Sequence, residues 1–131
     1  TMTVTMKKKV ALISMFFILG IVLIFHTLIL TELIPYDKVW AGKLNSVEEM
    51  KSFETISILL NAFMLTVLYL KYRKLEQGTT SKVIDILIWI FAGFFVLNTV
   101  GNLFSKSMVE LILGTLLTLT SAVLCFVIVK K

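Results

Sequence analysis

The segment VALISMFFILGIVLIFHTLILT, residues 10–31, runs for 22 positions without an Asp, Glu, Lys or Arg. A helix that crosses the hydrocarbon core of a bilayer needs about 20 mostly apolar residues, so this segment predicts a membrane span. Three further stretches, residues 55–70, 86–105 and 111–129, lack these charged residues in the same way. The four stretches make up more than half of the 131 residues, which excludes a water-soluble single domain and a disordered chain.

The predicted fold class is all-α: a polytopic membrane protein whose single domain is an antiparallel four-transmembrane-helix bundle. The second stretch reaches the length of a span once Phe53 and Glu54 are added to it. Residues 105–107 leave room only for a tight turn, so the third and fourth helices must be antiparallel neighbours. Within the single domain 1–131 we expect spans at 10–31, 53–70, 83–104 and 108–129, an outer loop 32–52 with a short helix starting at Asn45 or Ser46, and a cytoplasmic turn 71–82.

The basic residues predict the orientation of this bundle. With both termini in the cytoplasm, the inner side holds nine of the Lys and Arg residues and the outer side holds four. This distribution follows the positive-inside rule. The net charge of +5 therefore indicates topology rather than a nucleic-acid partner. We expect a multi-pass protein of the cell (inner) membrane, embedded in the lipid bilayer.

The first span is expected to remain in the mature protein. Its 22 uncharged positions exceed the 7–15 apolar residues that are usual in a secretory signal peptide. Because position 1 is a threonine, we expect Met2 or Met6 to be the natural start.

Residue types that carry common chemistry are scarce in this chain. Cys125 is the single cysteine, so it cannot form a disulfide within the chain, which excludes dithiol redox chemistry. His26 is the single histidine, which excludes a histidine-rich metal site. The sequence contains neither a phosphate-binding glycine loop nor a nucleophile–histidine–acid signature. We therefore predict no cofactor and no metal, and we favour a role other than catalysis.

Polar side chains within the spans are concentrated in the predicted outer half of the bundle. Such residues are costly in a membrane and usually face the protein interior. Helical spacing places Glu54, Ser57 and Asn61 on one stripe of the second helix, and Asn98 and Asn102 on one stripe of the third. These stripes predict either a polar cavity open to the outside or a hydrogen-bonded plug. The predicted ligand-binding residues inside the bundle are His26, Glu54, Ser57, Asn61, Asn98, Asn102 and Glu110.

Each of these residues also has a purely structural interpretation. Asparagines on membrane helices often form hydrogen bonds between helices, and the spacing Gly114-x3-Thr118-x3-Ala122 is typical of close helix packing. His26 could be a satisfied interior group. Glu54 is either a carboxyl withdrawn from water, which would suit a proton carrier or a general acid, or an exposed acid that complements the helix dipole.

The predicted outer loop contains PYDKVWAG at residues 35–42. Tyr36 and Trp40 are residue types that anchor proteins at the membrane interface. Alternatively the segment is a lid, in which Trp40 covers the mouth of the cavity and Asp37 closes it by pairing with a lysine. On that second interpretation Tyr36, Asp37 and Trp40 belong to the ligand-binding site.

Two resemblances can be stated on these residues. The blocks PYDKVWAGKL and EEMKSFETISILLN, residues 35–44 and 48–61, resemble a pattern of small, uncharacterised four-helix bacterial membrane proteins, which implies the fold and no established activity. The chain is also similar to the sterol isomerase and sigma-2 receptor superfamily, in which a first-helix histidine and a second-helix acid border a pocket for a lipid-like ligand. His26 and Glu54 match that pattern.

Three functions compete on this evidence. The first is a membrane protein that binds an amphiphilic small molecule, a lipid or a partner segment in the outer half of the bundle. The second is a small proton-coupled transporter that acts as a homodimer. The third is a membrane enzyme on a lipid-like substrate, with Glu54 as acid and His26 as base or cation stabiliser, which requires both groups within reach of one substrate. The predicted partners are the bilayer, an amphiphilic ligand, and a second copy or another membrane protein.

Overall fold

The computed structural model describes residues 2–34 and 46–130. Its elements are α1 (Met2–Leu30), α2 (Val47–Glu76), α3 (Lys82–Leu103) and α4, which opens with a π-helical turn, Glu110–Gly114, and continues as an α-helix over Thr115–Val129. The four long apolar helices pack antiparallel, so the predicted all-α bundle is confirmed. Each is long and apolar enough to cross a membrane.

The start of α2 agrees with the capping pattern in the sequence. Ser46 accepts a hydrogen bond from the backbone N–H of Glu49 at 3.1 Å, and Glu48 and Glu49 lie in the first turn. A serine cap and early acids both satisfy the positive end of a helix. The helix that was expected to start here is continuous with the second span, so that α2 is a single helix of 30 residues.

The other end of α2 differs from the prediction. The segment 71–82 was expected to be a turn, but α2 continues as far as Glu76 and only residues 77–81 connect it to α3. Arg73 and Lys74 lie in the last turn of α2, where basic side chains complement the helix dipole. Gly78 lies two residues after the end of α2, and its φ of 70° is in the left-handed region that glycine adopts without strain.

A solid apolar core fills one half of the bundle. It is formed by the first half of α1, the second half of α2, the first half of α3 and the second half of α4. We call this half the Lys71 end, and the opposite half the His26 end. The buried side chains of this core are Ala11, Leu12, Met15, Leu19, Met64, Val67, Leu68, Ile88, Phe91, Ala92, Phe95, Ala122, Cys125, Ile128 and Val129.

An ion pair joins α2 to α3 at the Lys71 end. Lys71 donates to Asp85 with 2.6 Å between Nζ and Oδ1, and Lys71 is only 2% exposed. The position of Asp85 in the first turn of α3 would by itself favour a pair with Lys82 or a cap on its own helix. The structure shows neither, because the cap of α3 is Ser81, which accepts from the N–H of Ile84, and the carboxylate of Asp85 accepts from Lys71. Asp85 is therefore available to neutralise a buried lysine on the neighbouring helix.

Candidate functional site

The His26 end of the bundle contains a cavity of about 450 Å³. All four helices contribute to its walls. The structure brings together in this one cavity the seven polar residues that the sequence singled out within the bundle: His26, Glu54, Ser57, Asn61, Asn98, Asn102 and Glu110. The described residues therefore form a cavity in whose wall these seven polar side chains are set among a larger apolar surface.

The cavity extends from the His26 end to about the middle of the helices. Leu19, Leu60 and Phe95 line its deeper part, and each lies near the midpoint of its helix or a few residues from it. Leu19 and Phe95 also belong to the apolar core. The core thus forms the floor of the cavity and separates it from the Lys71 end.

His26 and Glu54 form the most polar contact in the cavity wall. His26 Nδ1 lies 2.5 Å from Glu54 Oε2, which connects α1 to α2. Glu54 is 0% exposed, whereas the histidine side chain keeps 18% of its surface accessible. Of the two interpretations of Glu54, the structure shows the carboxyl withdrawn from water. A buried carboxyl requires polar partners, and His26 is one that lies 28 positions away in the sequence.

The polar stripe of α2 continues from Glu54 along the helix towards the middle of the bundle. Ser57 is buried, and the side-chain amide of Asn61 donates to the backbone carbonyl of Ser57 at 2.7 Å. The Asn61 amide nitrogen is thus held against its own helix. Both residues line the cavity, as their spacing from Glu54 predicts.

The two asparagines of α3 differ in their contacts. Asn102 Nδ2 donates to Thr118 Oγ1 of α4 at 3.3 Å, so the helix-to-helix interpretation applies to this residue. The Asn98 side chain makes no hydrogen bond to another residue in the part of the chain that the structure describes, yet it lines the cavity. A ligand with hydrogen-bonding groups would therefore find an unengaged amide at Asn98.

Thr118 is the centre of a small hydrogen-bonded cluster between α3 and α4. Its hydroxyl donates to the carbonyl of Gly114 at 2.8 Å and lies 2.9 Å from Thr99 Oγ1. A Cβ atom added at Gly114 would stand 2.9 Å from Asn102 Cγ, so the two helices approach closely here. This agrees with the close packing that the small-residue spacing of α4 indicates.

Glu110 lies at the start of the π-helical turn of α4 and is half-buried at the edge of the cavity. The site therefore holds two carboxyl groups and one imidazole. Among the described residues there is no group of three or more His, Cys, Asp or Glu side chains that could hold a metal ion.

Several contributors to the site were not singled out from the sequence. Phe25, Phe94 and Leu117 form apolar parts of the wall. Phe94 precedes Asn98 by one helical turn, so the helical period places both residues on the same face of α3. This spacing could have predicted that Phe94 lines the cavity. The residue pattern does not predict the π-helical turn. The proposed loop residues Tyr36, Asp37 and Trp40 lie outside the described residues, so both interpretations of that loop stay predictions.

Comparison with known proteins adds no relative: no family model, no curated protein and no solved structure matches this chain. The class of protein is accordingly defined by the fold. Four antiparallel helices of spanning length and hydropathy make it a multi-pass membrane protein. Large apolar side chains such as Phe17 and Leu97 cover the outside of these helices, which is where a bilayer would surround them.

Proposed function

We propose that this protein binds an amphiphilic small molecule or lipid in the cavity at the His26 end of the bundle. The observation that carries the proposal is the cavity itself. Its volume of about 450 Å³ lies in the range of roughly 300–1,000 Å³ that is usual for small-molecule sites. It is formed at the place where four helices each turn a polar residue inward.

The distribution of groups around the cavity favours an amphiphile. The His26–Glu54 pair and the Asn98 amide offer hydrogen bonds, while Phe25, Leu60 and Phe94 supply apolar contact area. A ligand with one polar group and one hydrocarbon part would form hydrogen bonds with the polar side chains and pack against the apolar ones.

A binding role accounts for this architecture better than the two alternatives do. A proton-coupled carrier opens its site to each side of the membrane in turn, and the cavity is bordered at the Lys71 end by the apolar core. A lipid enzyme needs an acid and a base that both reach the substrate, and Glu54 is 0% exposed. We therefore favour a binding protein over a carrier and over an enzyme.

Native mass spectrometry of the gently extracted protein is the test. We expect a co-purifying small molecule or lipid at a stoichiometry of one, and we expect Asn98→Leu to remove it. Since the Asn98 side chain has no hydrogen bond to the described residues, this substitution changes the cavity without breaking a contact shown there. Glu54→Gln should weaken binding too, because it removes the carboxyl partner that holds His26 in the cavity wall.

The matched controls are Thr120→Leu, on the exposed face of α4, and Glu48→Gln, an exposed acid in the first turn of α2. Both variants should retain the ligand. A folded wild-type protein that never carries a ligand, or a ligand that survives Asn98→Leu and Glu54→Gln alike, would refute the proposal.

A further inference from the structure

A second, smaller cavity of about 190 Å³ lies between α1 and the start of α4. Ile21, Val22 and Phe25 form one wall, and Val109, Leu113 and Leu117 contribute to the other. Apart from Glu110, the side chains around it are apolar. We call this space the α1–α4 groove.

The α1–α4 groove adjoins the polar cavity. Val22, Phe25 and Leu117 line both spaces, so the two share a wall of side chains rather than being separated by a helix. On its other side the groove is bordered by Ile21 and Leu113, which are 48% and 55% exposed. In a membrane-spanning bundle such exposed apolar side chains face hydrocarbon. The groove therefore lies between the main cavity and the surrounding lipid, and shares five of its eight lining residues with that cavity.

The π-helical turn Glu110–Gly114 forms much of the α4 side of this groove. A π-helical turn is wider than an α-helical one and is frequent at functional sites. Gly114 belongs to the wall of both spaces and has no side chain to fill them. A local widening of α4 thus coincides with the place where α1 and α4 leave room between them.

From this juxtaposition we infer that the ligand is a lipid of the bilayer, held with its headgroup in the polar cavity and a hydrocarbon chain in the α1–α4 groove. The inference rests on the proposed binding function and adds the class of ligand and its route. The headgroup carries hydrogen-bonding groups for His26, whose side chain is 18% exposed, and for Asn98. The chain lies among Ile21, Phe25 and Leu113, and the ligand enters sideways from the membrane.

Photochemical labelling tests the position of the chain. The probe is a monoacylglycerol with a diazirine at the end of its chain, added to the wild-type protein in phosphatidylcholine nanodiscs. Its hydroxyl headgroup can donate and accept hydrogen bonds at the polar side chains of the cavity wall. After irradiation, labelled residues are mapped by mass spectrometry. We expect labelling to concentrate on Ile21 and Leu113, relative to Leu116, which faces outward from α4 and is 59% exposed.

Two substitutions fill the groove from opposite walls. Leu113→Trp should lower the labelling of Ile21 about tenfold, the change expected when roughly two methylene groups lose their buried site. Ile21→Trp should do the same to the labelling of Leu113. Both positions are half exposed, so the larger side chain does not enter the core. Leu116→Trp is the matched control and should leave the labelling unchanged.

The outcomes separate this inference from the function on which it rests. Labelling spread evenly over Ile21, Leu113 and Leu116, or unaffected by Leu113→Trp, overturns the bilayer-lipid inference. A ligand that still co-purifies in Leu113→Trp and is lost in Asn98→Leu would then leave the cavity-binding function standing. Asn98→Leu is also expected to lower labelling of the groove, because the headgroup anchors the chain, and unchanged labelling in that variant contradicts the inference.

Discussion

His26 Nδ1 on α1 lies 2.5 Å from Glu54 Oε2 on α2, and this contact forms part of the wall of the main cavity. The pair thus has two consequences for the protein. It joins the first two helices at the His26 end of the bundle, where a small apolar cluster formed by Ile29 and Met50 is also buried, and it places polar groups in the wall of the main cavity.

The first prediction concerns the energy of this pair. In a double-mutant cycle with His26→Gln and Glu54→Gln, we expect an interaction energy of about 1–3 kcal/mol, because the side chains are in direct contact. Unfolding in mixed micelles of increasing SDS content measures each variant. The control cycle pairs His26 with the exposed Glu48 and should show coupling below about 0.5 kcal/mol. Equal coupling in the two cycles would contradict the contact.

The second prediction concerns the ion pair at the Lys71 end. Asp85→Asn leaves the ammonium group of Lys71, a residue 2% exposed, without its carboxylate. Removing one partner of a buried pair typically costs about 3–5 kcal/mol. We expect the lower part of that range, because the side chain of Asp85 itself is 29% exposed.

The same unfolding assay checks this pair. Lys82→Gln alters an exposed lysine at the start of α3 and should change stability by less than about 0.5 kcal/mol. The double variant Lys71→Met/Asp85→Leu should recover most of the loss, since neither charge then remains to be buried. If Asp85→Asn is as stable as Lys82→Gln, the pair is not a structural element.

The third prediction concerns the hydroxyl of Thr118. Thr118→Val removes its contacts with Asn102, Thr99 and the carbonyl of Gly114 while keeping the shape of the side chain. Hydrogen bonds between membrane helices are worth about 0.6 kcal/mol on average and at most about 1.7. A loss of stability in this range is expected. Thr120→Val, on the exposed face of the same helix, should have no measurable effect.

The fourth prediction compares two glycines. Gly114→Ala places a methyl group 2.9 Å from Asn102 Cγ, so Asn102 must move and its bond to Thr118 is strained or lost. Overpacking of this kind typically costs about 1–3 kcal/mol. Gly93→Ala in α3 meets nothing within 4 Å and should be neutral or stabilising by up to about 1 kcal/mol, as helix propensity implies. A reversed order would show that α3 and α4 are not in close contact at Gly114.

The polar residues of the cavity could be predicted from the sequence for a simple reason. A polar side chain in a span must turn away from lipid, and the helical period then determines which of its neighbours share its face. Glu54, Ser57 and Asn61 follow this reasoning, as does Asn98 with Asn102. With four helices of spanning length, and short connections on both sides of α3, their faces can converge in few ways.

The individual contacts could not be predicted, because they depend on how the helices are rotated and shifted against one another. Asn98 and Asn102 share a stripe, but only Asn102 lies opposite a hydroxyl on α4. Asp85 pairs with Lys71 rather than with Lys82 because α2 continues past the expected turn and brings a lysine beside α3.

The sequence by itself determined that this is a four-helix membrane protein with its polar residues gathered towards one end, since hydropathy and helical periodicity act locally along the chain. Only the tertiary structure decided that those residues border a cavity, that His26 is a partner of Glu54, and that a groove opens beside the π-helical turn of α4. Whether a cavity remains between two helices depends on how the side chains of both helices fit together. That fit involves residues far apart in the sequence, so a local pattern does not predict it.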